Sequence, residues 1–176
     1  MTHDNINAKL RQDELEQNQK LFKQVADKLV SISEPTFRKD KNHSKALTAL
    51  AVSPDNLSFF TASKDGSIVK WEIHENQVPK MAIRKKSAHK SKDNKGHKSI
   101  VNAMSVNSDF LATGDDSKMI FIWKSSTLEF VKAFHGHRGP ITGLTFARGK
   151  NVLYSCSKDR SVKTWDLDQM GYVETL

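Results

Sequence analysis

The sequence predicts an all-β repeat fold, three four-stranded units in tandem behind a helical extension, and three observations carry that expectation. The spacing from His137 to Trp165 recurs from His43 to Trp71, and a copy two residues shorter runs from His97 to Trp123. The endings of two copies answer one another, SKDGSIVKWE upstream and SKDRSVKTWD downstream. Between them lie short β-patterned runs separated by turn signals, as consecutive antiparallel hairpins require. Self-similarity at a fixed period sets the architecture ahead of local propensity.

Residues 6–32 read as a helix. Ile6, Leu10, Leu21, Phe22, Val25 and Leu29 fall largely at three- and four-residue spacing among polar residues. Asn5 or Asn7 can cap its start, and Pro35 bars its continuation. Its apolar stripe needs a partner, either the edge of the repeat array or another protein.

The first unit follows with strands at 47–52, 57–62, 67–73 and 80–83, turned at Ser53-Pro54-Asp55-Asn56 and Lys64-Asp65-Gly66. The second uses 100–106, 110–113, 119–123 and 128–134. The third uses 141–146, 152–156, 161–165 and 172–176, turned at Arg148-Gly149-Lys150 and Lys158-Asp159-Arg160. The paired GH and Trp-Asp signals, with an Asp six residues before the Trp, resemble the WD40 repeat, one blade of a β-propeller. That resemblance covers residues 41–176. Behind the N-terminal helical extension at 1–40, it implies blade 1 at about 41–83, a basic insertion at about 84–95, blade 2 at about 96–134 and blade 3 at about 135–176. Rings of this kind close with roughly four to eight blades. Three blades are therefore expected to be the front portion of a longer ring, one of seven.

Charge is concentrated in one place. Residues 79–98 hold eight Lys/Arg and one acid, so +7 of the net +8 lies there. Trp71 to Trp123 spans 52 residues and Trp123 to Trp165 spans 42, and the surplus falls in this same basic segment. It reads as a loop insertion on one face, with an anionic partner. No apolar run approaches eighteen residues and no secretory signal opens the chain, so neither a membrane span nor a membrane partner is expected. The single cysteine, Cys156, excludes an internal disulfide framework, and its place in a central strand predicts a buried, inert thiol.

In the WD40 family the GH histidine, a Ser or Thr before the tight-turn Asp, that Asp and the Trp form a buried hydrogen-bond network. The resemblance places His43, Ser63, Asp65 and Trp71 in it for blade 1, and His137, Ser157, Asp159 and Trp165 for blade 3. Blade 2 departs from the pattern, reading Gly114-Asp115-Asp116-Ser117, with Lys124 after Trp123. Its expected members are His97, Asp116 and Trp123, with the hydroxyl unassigned because Gly114 falls at its place. Ser, His and Asp are also the residue types of a hydrolase triad. There is no nucleophile elbow or oxyanion-hole segment, however, and the set recurs in each blade, so scaffold rather than enzyme is expected. No metal-ligand cluster and no phosphate-binding glycine loop is present, and no cofactor is expected.

Beyond the framework, SKDGSIVKWEI, ATGDDSKMIFIW, GHRGPITGLTFARG, LYSCSKDRSVKTWDL and the N-terminal LRQDELEQNQKLFKQVADKLV resemble the U3 small nucleolar ribonucleoprotein WD-repeat family. That resemblance implies a nuclear, nucleolar protein that binds U3 small nucleolar RNA beside other core snoRNP proteins. It also implies work with small-subunit pre-ribosomal assembly factors in pre-rRNA processing and ribosome biogenesis. The charge agrees: Arg84, Lys85, Lys86, Lys90, Lys92, Lys95 and Lys98 suit phosphate contacts, and Arg138, after the third GH, is expected on the same face. A solvated loop serving as a nuclear address is the plainer reading of that segment. A WD-repeat adaptor that binds protein and no RNA is the competing function.

Overall fold

The computed structural model describes residues 41–74, 79–85 and 96–176. The N-terminal helix expected at 6–32 and the insertion residues 86–95 lie outside the described residues. Within these residues twelve strands form three four-stranded antiparallel sheets, each in simple sequence order. The first contains β1 (Leu47–Val52), β2 (Ser58–Ser63), β3 (Ile68–Glu72) and β4 (Lys80–Lys85). The second contains β5 (Val101–Val106), β6 (Phe110–Asp115), β7 (Ile120–Lys124) and β8 (Phe130–Phe134). The third contains β9 (Ile141–Phe146), β10 (Val152–Ser157), β11 (Val162–Asp166) and β12 (Gly171–Thr175). The strands lie close to the runs the sequence predicts. One boundary moves: Arg84 and Lys85, expected in the insertion, extend β4 by pairing with Val69 and Ile68.

The sheets share their irregularities. The register shifts just before the tryptophan in every third-to-fourth strand pair, at Lys70/Trp71, Ile122/Trp123 and Thr164/Trp165. A bulge at a repeated position bends each sheet and increases its twist in the same way.

Two apolar clusters join the blades. Phe60, Ile68, Val101, Met104, Leu111, Phe121 and Trp123 pack blade 1 on blade 2. Ala103, Ile120, Ile122, Phe134, Ile141, Leu153 and Trp165 pack blade 2 on blade 3. Blade 2 is thus covered on both faces. Gly114 makes the second contact close, because a Cβ there would overlap the side chain of Ile141. Blade 3 has one bare face, where Tyr154, Val162 and Val173 are exposed. Cys156 lies in this exposed set rather than in a core, contrary to the sequence expectation. Along β10, Leu153, Ser155 and Ser157 are buried while Tyr154 and Cys156 alternate to the uncovered side. A centrally placed strand buries a residue only where a neighbour covers its face.

The topology also sorts the turns. The first turns of the three blades share one groove, lined by Pro54, Asn107, Ser108, Arg148 and Lys150. Each second strand runs from its first turn to its second. The β2–β3, β6–β7 and β10–β11 turns therefore lie together at the opposite end.

Candidate functional site

At that opposite end each blade carries a histidine, a hydroxyl, a carboxylate and a tryptophan. In blade 2, Trp123 Nε1 donates to Thr113 Oγ1 at 2.8 Å, and His97 Nε2 lies 2.6 Å from the same hydroxyl. His97 Nδ1 lies 2.8 Å from Asp115 Oδ2. An indole only donates, so the hydroxyl accepts from Trp123 and passes its own hydrogen to Nε2. Nδ1 then keeps the ring proton and donates it to the carboxylate, which fixes the neutral tautomer. Blade 3 repeats this with Trp165 Nε1 to Ser155 Oγ at 2.8 Å, His137 Nε2 at 2.7 Å and His137 Nδ1 to Asp159 at 2.9 Å. Blade 1 inserts a serine. His43 Nδ1 meets Ser67 Oγ at 2.8 Å, Ser67 donates to Asp65, and Thr61 bridges His43 and Trp71.

Two expected assignments are corrected by this geometry. The bridging hydroxyls are Thr61, Thr113 and Ser155, not Ser63 and Ser157. Those two serines brace the turn instead: Ser63 donates to the Lys45 carbonyl and Ser157 to that of Gly139, and each accepts the amide of the turn aspartate. The physical reason is register. The residue ten before each tryptophan lies on the neighbouring strand with its hydroxyl under the indole, in all three blades. That constant spacing is the signal the sequence held.

The second correction concerns blade 2. Asp115, not Asp116, holds His97; Asp116 is exposed, with Asn102 Nδ2 at 3.4 Å from its carboxylate. The amides of Lys64, Asp116 and Lys158 donate to Ala46, Ile100 and Pro140, which makes these three turn positions equivalent. Asp115 therefore stands where Ser63 and Ser157 stand. From that strand-end position its carboxylate reaches the ring directly and also accepts the Met119 amide.

Electrostatics follow the packing. Burial pushes the His97 imidazole below its ordinary pKa, against the upward pull of Asp115. Burial works against ionisation of Asp65, but the hydroxyls and amides of Ser44 and Ser67 outweigh it and hold the carboxyl well below the usual range. Asp159 is held down likewise, against burial, by Ser161, the Arg138 amide and His137. These groups face inward, and each hydroxyl is shared between an indole and an imidazole. Chemically the arrangement locks turn to strand.

The basic candidates distribute as follows. Arg84 and Lys85 lie in β4, while Lys86, Lys90, Lys92 and Lys95 are outside the described residues. Lys98 and Arg138 are exposed beside His97 and His137, and the Arg138 amide donates to Asp159 at 2.7 Å.

The fold and its repeated network define a WD-repeat protein. The WD domain, G-beta repeat family matches residues 35–72, 89–124 and 128–166, and the chain belongs to that family. Among individual proteins it is similar to U3 small nucleolar RNA-interacting protein 2 of Homo sapiens, 39% identical over 86% of this chain and 32% of that protein. It is also similar to the U3 snoRNP-associated protein-like EMB2271 of Arabidopsis thaliana, 30% identical over 98% of this chain and 38% of that one. A solved structure of U3-55K superposes with a TM-score of 0.69 at 40% identity, covering 76% of this chain and 40% of that chain. The chain thus spans less than two fifths of the length of these two relatives.

Proposed function

We propose that this chain acts as a non-catalytic RNA–protein scaffold of the U3 small nucleolar ribonucleoprotein. In this reading it binds U3 small nucleolar RNA and serves pre-rRNA processing and small-subunit ribosome biogenesis in the nucleolus. The observation that carries the reading is that 39% identity to a U3 RNA-interacting protein extends over 86% of the chain. The basic run at 79–98 supports it, since Lys/Arg clusters supply the salt-dependent, sequence-tolerant part of RNA affinity. The burial of Ser155 supports the non-catalytic part, because its hydroxyl accepts the Trp165 indole N–H in the core, out of a substrate's reach. Partners in this reading are U3 RNA, other core snoRNP proteins and small-subunit assembly factors.

The test is to purify the tagged chain from nuclear extract and sequence the RNA it retains. Strong enrichment of U3 small nucleolar RNA, lost when 84–98 is neutralised, is the expected result. Enrichment that survives neutralisation keeps the function and moves the contacts. A second reading, a protein-only adaptor, is favoured by the exposed Leu47, Leu50 and Val52 of blade 1 and Tyr154, Val162 and Val173 of blade 3. It prevails where proteins are retained and U3 RNA is not.

A further inference from the structure

We infer that Lys64, Lys118, Arg138, Lys158 and Arg160, carried by the second turns and the connection beside them, form an ordered phosphate-contacting surface for RNA. This rests on the RNA-binding reading above, and it assigns that role to residues of the folded blades rather than to the basic insertion.

The turns lie at one end, as the topology requires, and these five side chains are exposed there. None forms an ion pair with a described carboxylate. Their turns hold four acids against these five cations, and of those acids Asp65, Asp115 and Asp159 are committed to histidines, serines and turn amides. Only Asp116 of the second-turn acids is exposed. The network therefore hides negative charge and leaves positive charge on the surface. The opposite end is mixed, with Asp109 and Asp168 lining the same groove as Arg148 and Lys150.

Backbone conformation adds an independent sign. Lys118 and Arg160 have φ of 71° and 67°, at the turn position where blade 1 has Gly66 at 75°. A long side chain there is strained where glycine is not. The other positive-φ residues have local reasons. Asn56 is a residue type that tolerates this region, Leu128 is buried in the core and Met170 packs against it. Lys118 and Arg160 are exposed and pack on nothing comparable. Placing two cations at strained turn tips costs stability and gains charge at this surface.

The chemistry points to phosphate. Separate cations on successive blades match a backbone with one charge per nucleotide, and the second turns carry no aromatic side chain for base stacking. Binding through this surface is accordingly sequence-tolerant and salt-dependent.

The test measures binding of the whole chain to a labelled single-stranded oligouridine across a salt series, with polyglutamate as competitor. The double variant Lys118→Gly, Arg160→Gly should raise the denaturation midpoint, because it relieves both strained positions. It should nonetheless bind more weakly and lower the slope of log affinity against log salt by about 0.7 per contact removed. Lys64→Gln with Lys158→Gln should lower the slope similarly with the midpoint unchanged. Unaltered slopes in both variants, or no oligouridine binding by the wild-type chain, overturn the surface. Polyglutamate competing better than unlabelled oligouridine overturns it in favour of an acidic protein partner. U3 RNA enrichment from extract is read separately, so a failed surface with surviving enrichment leaves the function standing and removes only this site.

Discussion

Blades 2 and 3 contain the same tryptophan–hydroxyl–histidine relay but anchor it to carboxylates at different places in the chain. In blade 3 the acid is Asp159, inside the turn; in blade 2 it is Asp115, at the end of the strand. Their surroundings differ as well. His97 and Asp115 expose 0% and 1% of their side chains, whereas Asp159 keeps 11%. The lesson is that the network is a geometry that several sequence positions can satisfy. Where the acid is fully buried, its loss costs most.

The largest expected effect comes from breaking the sealed pair. Asp115→Ala should destabilise the chain by about 3 kcal/mol, because it leaves the His97 N–H and the Met119 amide buried without an acceptor. Asp116→Ala, one residue on, should stay within about 0.5 kcal/mol as an exposed substitution. Urea midpoints of the two variants decide between the geometric assignment and the one read from spacing. Thr113→Val comes next, at about 2 kcal/mol, since Trp123 and His97 both lose their shared hydroxyl. Asp159→Ala should cost less than half as much as Asp115→Ala in the same titration. Equal losses would show that the covered faces of blade 2 do not matter.

The smallest effect separates the blades by pH. His97 has a depressed pKa when folded, so the unfolded chain takes up a proton first on acidification. Its contribution is complete above about pH 6.5 and declines as pH falls below that. Asp65 and Asp159 are also depressed, and their contribution is complete above about pH 4 and lost below it. Stability should therefore fall in two stages. His97→Gln should remove the upper stage and leave the lower, as checked by denaturant midpoints at several pH values.

Much of the architecture was legible in the sequence. Three copies of a His-to-Trp interval point to the sheets and most strand positions, because hairpin turns and alternating residues are local signals. The network was legible only in outline. His43, His97, His137 and the three tryptophans sit where the motif puts them. The bridging hydroxyls do not: they lie ten residues before each tryptophan, two positions ahead of the serines the motif points to, and only the pairing of the two strands shows why that spacing counts. Asp115 is not legible by counting back from Trp123, because His97 pairs with the acid its ring nitrogen reaches. The exposure of Cys156 is not legible in the sequence, because burial depends on a neighbouring sheet, which no pattern within β10 encodes.

The shared position of blade 2 has a consequence for how the described sheets open. Both apolar clusters draw residues from it, and each sheet is otherwise built from hairpins with near neighbours. Stability in such an array is a sum of units and the contacts between adjacent ones. Opening of blade 1 or blade 3 breaks one interface, but opening of blade 2 breaks two. The slowest amide hydrogen exchange should therefore lie in β6 and β7, and β12 should exchange through smaller openings that leave the middle sheet closed.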